Sequence, residues 1–331
     1  MRRALALVVL VAAVAACGGT TVVREPTVTV AGGAAPGAPP RASNGVRIAV
    51  VTHGQASSPF WAIVRNGVEA AARQMDVVVS YRAPDVYSLQ RMKTMIDEAV
   101  ASRPDGLVVS IPEPGLAPAI RRAVRAGIPV VSINSGSDVY RRLGVLAHVG
   151  QPEEEAGLDA GRRLAAAGAR RVLCVNQQVG NQGLDARCRG LARAMRDAGG
   201  RSRVLGIDDQ SASTPRRIAD AVRRDRVDGL LTLNSTGAIL AVDAAHRLDG
   251  RVTVATFDLG PDVLRAVRDH RLLFAVDQQA YLQGYLPIVL LTQRARYGLF
   301  PARGDLVPTG PNFVTARGAG KAIELSKRSI R

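Results

Sequence analysis

The chain has 331 residues and a formal net charge of +16, carried almost wholly by arginine because Lys93, Lys321 and Lys327 are its only lysines. The arginines are spread among acids along helical stretches, as at Arg121-Arg122, Arg162-Arg163, Arg216-Arg217 and Arg223-Arg224. A nucleic-acid binder gathers its charge in a patch interleaved with aromatics, which argues against nucleic acid as a partner here, and the length suits two domains of ordinary size.

Taken in order, the chain opens on Arg2-Arg3 and an apolar run from Ala4 to Ala16, too short for a stable membrane span. Residues 1–17 therefore read as a signal segment. Its end, Val14-Ala15-Ala16-Cys17, resembles the lipobox of bacterial lipoproteins, which implies cleavage before Cys17, lipidation of that cysteine and a lipid anchor in the membrane. Residues 18–44 are mostly Gly, Ala, Pro, Thr and Val, and Pro36, Pro39 and Pro40 rule out a helix, so a flexible tether is expected.

The body begins with an apolar strand at about 46–52, a short loop, and Ser58-Pro59 as an N-cap followed by a proline in the first helical turn. Phe60 and Trp61, the latter the only tryptophan, stand side by side at this strand-to-helix corner. In an open parallel sheet, ligands bind outside the carboxyl ends of the strands, so the two rings are candidate stacking faces; one core ring and its cover is the plainer alternative. Further strands at about 77–81, 106–110 and 128–133 alternate with helices at about 59–74, 88–102 and 116–126. The pattern then returns 123 positions later. Gly67 falls on Gly190, Asp85 on Asp208, Asp97 on Asp220, Asp105-Gly106-Leu107 on Asp228-Gly229-Leu230, and Gly127 on Gly250. Strands near 171–176, 203–207, 228–233 and 252–256 complete the copy, followed by a strand at 272–276, a helix near 280–296 and a strand near 311–315. The expectation is an α/β fold of two similar lobes, each a doubly wound parallel sheet with helices on both faces.

Pro152 and Glu153-Glu154-Glu155 give one helix a proline start and acids at the positive end of its dipole. Cys174 lies mid-strand and Cys188 on the following helix, and two free thiols are expected. His53-Gly54-Gln55-Ala56-Ser57 lacks the glycines of a dinucleotide turn, no G-x-S-x-G or H-E-x-x-H occurs, and the four histidines are scattered. No catalytic role, cofactor or metal is therefore expected.

Ser58-Pro59-Phe60-Trp61, Asp105-Gly106-Leu107-Val108-Val109, Gly127-Ile128-Pro129-Val130-Val131, Phe257-Asp258 and the late Gln278, in that order and spacing, resemble the bacterial periplasmic sugar-binding proteins of the ribose-binding type, which serve ABC importers. The resemblance implies three crossings between lobes at a hinge, with an N-terminal lobe of residues 45–148 plus 280–306 and a C-terminal lobe of 149–279 plus 307–331. It also implies a monosaccharide or polyol ligand, an import permease as partner and a site in the cleft. Phe60 and Trp61 resemble the family's stacking rings, Arg187 its arginine, Asn234 its asparagine, Asp258 its carboxylate and Gln278 its hinge glutamine; Asn234 also stands where a helix cap belongs. Thr52 and Ser58 match polar positions loosely. The sequence departs from the family at Asn134-Ser135, where the ribose-type proteins carry an Asp-Arg pair, which argues against ribose itself. A receptor that reports its ligand to a membrane sensor would use the same closure.

Overall fold

A computed structural model describes residues 45–54, 58–84, 86–248, 252–301, 305–327 and 330. The signal segment, Cys17, the tether, and the landmarks Asp85 and Gly250 lie outside the described residues. Twelve strands and ten α-helices are described. The first half runs β1 (Arg47–Val51), α1 (Pro59–Met75), β2 (Val78–Arg82), α2 (Leu89–Ala101), β3 (Gly106–Ser110), α3 (Ala117–Arg125), β4 (Val130–Ile133) and β5 (Ala147–Gly150). The second runs α4 (Glu153–Ala166), β6 (Arg171–Asn176), α5 (Gln182–Asp197), β7 (Arg201–Gly206), α6 (Thr214–Asp225), β8 (Gly229–Thr232), α7 (Ser235–His246), β9 (Thr253–Phe257), α8 (Pro261–Arg268) and β10 (Ala275–Asp277). The chain ends with α9 (Ala280–Tyr297), β11 (Leu306–Pro308), β12 (Asn312–Val314) and α10 (Ala316–Ser326).

The strands form two six-stranded sheets, ordered β11-β5-β4-β3-β1-β2 and β12-β10-β9-β8-β6-β7. All pairings are parallel except β10 with β12. Successive side chains of a strand point to opposite faces, and both faces are used. Ala49 and Val51 of β1 enter one apolar cluster while Ile48 and Val50 enter the other. β6 repeats this with Leu173 and Val175 on one face and Val172 and Cys174 on the other.

The duplication read from the sequence has a physical basis at the outer strand ends. Asp105 Oδ2 accepts the backbone N–H of Arg47 at 2.9 Å, and Asp228 Oδ1 accepts those of Arg170 and Arg171 at 2.8 and 2.7 Å. Each aspartate therefore ties the loop before one central strand to the start of its neighbour.

Three segments pass between the sheets: 150–153 between β5 and α4, 277–280 between β10 and α9, and 308–312 between β11 and β12. β5 and β11 are too short to stand out by apolar periodicity, and the sequence reading missed both. No helix among the described residues is long and apolar enough to cross a membrane. The expectation of two free thiols is corrected: Cys174 and Cys188 form a disulfide with Cα atoms 5.7 Å apart. The reason is that α5 packs on β6 with Cys188 facing the sheet, so both sulfurs enter one apolar layer.

Candidate ligand-binding cleft

The carboxyl ends of β1, β4, β6, β8 and β9 converge on a cavity of about 100 Å³. Eight of the expected residues line it: Ser58, Phe60, Trp61, Asn134, Arg187, Asn234, Asp258 and Gln278. Pro59 occupies the first turn of α1, although the Ser58 side chain makes no capping bond. This places Phe60 and Trp61 on the turn nearest the cavity. Their rings meet edge to face, centroids 5.2 Å apart, and Trp61 meets His53 the same way at 4.9 Å. A Cβ on Gly54 would lie 1.6 Å from the Trp61 Nε1, so the indole can pack there only because that residue is glycine.

The charged edge of the site is buried. Arg187 is 2% exposed, on α5, and donates from Nε and Nη2 to the two oxygens of Glu153 at 2.6 and 3.0 Å. Its Nη1 donates to Leu233 O at 3.3 Å, and its guanidinium lies over the Phe257 ring at 4.4 Å. Burial opposes the arginine's charge, but the Glu153 carboxylate outweighs it and holds the pKa above its ordinary value. A guanidinium has five N–H groups, so two remain beyond these three bonds.

Asp258 follows β9 in the left-handed region, φ 68°, and Asn134 follows β4 in the same conformation, φ 60°. Both bond to Gln278, whose Nε2 donates to Asp258 Oδ1 at 2.5 Å and whose Oε1 accepts from Asn134 Nδ2 at 3.3 Å. Gln283 Nε2 donates to the same Oε1 at 3.0 Å and to Thr309 Oγ1 at 3.2 Å, so one network joins two of the crossing segments. Burial raises the Asp258 pKa to about 6, against the lowering pull of the Arg187 charge and the Gln278 bond.

Two expected residues do not reach the cavity. Thr52 is fully buried, with its hydroxyl bonded to Tyr81 at 3.1 Å, and its neighbour His53 faces the site instead. Ser135 lies behind Asn134, its hydroxyl within 3.2 Å of Asn134 Oδ1 and 3.1 Å of Asn181 Oδ1. Asn234 stands at the cavity and at the helix start together. It lines the cavity and caps α7 by accepting from Gly237 N at 2.8 Å.

The sequence reading missed Asn181 and Glu153 and discounted His53. Asn181 caps α5 through Oδ1 and turns its Nδ2 toward His53 Nε2 at 3.3 Å, joining the two lobes beside the cavity. Because Asn181 Nδ2 can only donate, His53 Nε2 accepts and Nδ1–H faces Ser110 Oγ at 2.8 Å. Burial lowers the His53 pKa to about 3, so this neutral form persists. No group of three or more His, Cys, Asp or Glu among the described residues is placed to hold a metal.

Comparison with known proteins matches residues 48–298 to the periplasmic binding protein domain. The chain is 24% identical over 286 residues to the xylose/arabinose-binding protein XylF of Sulfolobus acidocaldarius, covering 78% of this chain and 68% of that protein. Among solved structures, a carbohydrate transporter from Acidothermus cellulolyticus in complex with myo-inositol superposes with a TM-score of 0.81 at 33% identity, over 87% of this chain and all of that one. A solute-binding protein from Burkholderia graminis in complex with D-arabinose has the same fold, with a TM-score of 0.74 at 20% identity over 83% and 96% of the two chains.

Proposed function

Since the chain belongs to the family built on the periplasmic binding protein domain, we propose that it captures a neutral, polyhydroxylated ring, a monosaccharide or cyclitol, between its lobes and delivers it to the permease of an ABC importer. It is a binding protein and not an enzyme. The observation that carries this reading is the pairing of aromatic faces, Phe60 and Trp61, with a buried arginine and carboxylate, Arg187 and Asp258, around one cavity. A sugar offers C–H faces to the rings and hydroxyls to the charged edge, where charge-assisted bonds are strongest. The charges lining the cavity are one positive and one negative, which favours a neutral ligand over a phosphorylated or carboxylated one. The myo-inositol of the Acidothermus protein and the pentoses named for XylF fit that chemistry.

The mechanism needs no reaction. A ligand that bonds to Asn134 and the Trp61 face on one lobe and to Arg187 and Asp258 on the other stabilises the closed arrangement, so occupancy becomes shape that a permease can read. Lipidation at Cys17 would hold the protein outside the cytoplasm at the membrane surface, with residues 18–44 as the tether.

A thermal-shift screen of the full chain against D-xylose, L-arabinose, D-glucose, D-galactose and myo-inositol tests the reading. A true ligand at about 100 times its dissociation constant adds about 2.7 kcal/mol of stability. No shift with any of the five would remove the assignment.

A further inference from the structure

The cavity at the charged edge is not the whole of the cleft. A second space of about 420 Å³ adjoins it and shares the walls Trp61, Gln177, Gln178, Asn234 and Thr236. Its outer wall is its own, made by Tyr87 from the first lobe and Asp209 and Gln210 from the second. The backbone N–H of Gln182 donates to Pro112 O at 2.7 Å across the lobes, and Asn181 reaches His53 at 3.3 Å, so the jaws already touch beside the inner cavity.

One water needs about 10–15 Å³ of such space, so the inner cavity of about 100 Å³ suits a single ring and the outer one leaves room for a second. The outer walls carry the chemistry a ring would use. Tyr87 presents a half-buried aromatic side chain whose hydroxyl bonds to Glu113. Gln177 keeps a buried Oε1 with no hydrogen-bond partner among the described residues. Asp209 accepts from Asn234 at 2.7 Å and from Gln210 at 3.2 Å, fixing two amide side chains at the rim.

Resting on the reading of the inner cavity as a single-ring sugar or cyclitol site, the geometry points to a second subsite for a neutral glycosyl unit, so that the preferred ligand is a disaccharide or a glycosylated cyclitol. Asp209, the charged residue of the outer wall, disfavours an anionic second unit such as a uronic acid or sugar phosphate.

Because Trp61 is the chain's only tryptophan and borders both spaces, its fluorescence reports on either. Titrations of the full chain compare D-xylose with xylobiose, D-glucose with cellobiose, and myo-inositol with an α-galactosyl-myo-inositol. For at least one pair the two-ring compound is expected to bind about tenfold tighter, as one or two added hydrogen bonds would give. For that pair, Gln210→Ala and Tyr87→Phe, chosen because neither leaves a large void, are expected to narrow the gap while single-ring affinity stays within about twofold. Single rings that bind as tightly as or more tightly than their glycosides in every pair would overturn the second subsite and leave the inner site standing. Equal losses on both members of a pair in the two variants would also overturn it. No binding by any of the six compounds would remove the inner-site reading and the subsite with it.

Discussion

At the scale of single residues, the site depends on how Arg187 is held. Glu153 takes two of its donors and is itself fixed by Gln151, whose Nε2 donates to Glu153 Oε2 at 2.8 Å from the first crossing segment. Glu153 thus acts through Arg187 as a positioning residue. It also affects Asp258, because its negative charge adds to the rise of that carboxylate. A ligand hydroxyl donating to Asp258 bonds more strongly to the ionised form, so affinity should fall as pH drops through about 6. Glu153→Gln removes that charge and leaves Asp258 as the counter-ion of Arg187. The expected result is a weaker ligand and an affinity midpoint shifted below pH 6, read by titration calorimetry across pH. An unmoved midpoint would show that the Glu153 charge does not reach Asp258. Asp258 and Arg187 were legible through the resemblance to the ribose-binding type, which carries a carboxylate and an arginine at these places. Glu153 was not, because an acid in a helix's first turn already has a reason in the helix dipole. Thr52 turns away from the cavity while its neighbour His53 faces it, and of the expected pair Asn134-Ser135 only Asn134 lines the cavity, with Ser135 behind it.

At the scale of elements, the fold is built on two close helix pairs that exchange origins. α4 follows β5 of the first sheet but packs on α5 over the second, and α9 follows β10 of the second sheet but packs on α1 over the first. Each pair needs backbone contact. A Cβ on Gly190 would lie 1.9 Å from Glu154 O, and one on Gly284 would lie 1.9 Å from Val64 O. Gly190→Ala should therefore part α4 from α5 and cost about 1–3 kcal/mol in urea unfolding. It should also weaken ligand binding, because Arg187 and Glu153 sit on those two helices. Gly320→Ala is the contrast: in the exposed face of α10, with nothing within 4 Å of the added carbon, it should gain about 0.5–1 kcal/mol. A loss of the same size at both positions would refute the packing argument. The sequence marked Gly67 and Gly190 as recurring landmarks, but which helix each one meets depends on crossings that sequence periodicity does not carry. The disulfide between Cys174 and Cys188 was hidden for a related reason, since the facing of α5 on β6 is a property of packing.

At the scale of the whole molecule, burial of titratable groups sets how stability responds to acid. His53 and His148 are both buried, and burial lowers each from the ordinary 6.5 to about 3. Asp258 goes the other way, from 3.8 to about 6. Between the ordinary histidine and carboxylate values, the unfolded chain holds two histidine protons that the folded chain lacks, and the folded chain holds one proton on Asp258 that the unfolded chain lacks. The histidines therefore destabilise the fold as pH falls through 6.5, while Asp258 relieves part of that loss as it becomes neutral in place. With a net difference of one proton, unfolding free energy should fall by about 1.4 kcal/mol per pH unit over this window. In Asp258→Asn the relief is absent, and the slope should approach twice that, about 2.7 kcal/mol per unit. Urea unfolding of both proteins at intervals from about pH 6 to about pH 4.5 measures the two slopes directly. Parallel slopes would mean that Asp258 titrates in the cleft as it does in water, and the proposed part of a buried carboxylate in ligand capture would lose its ground.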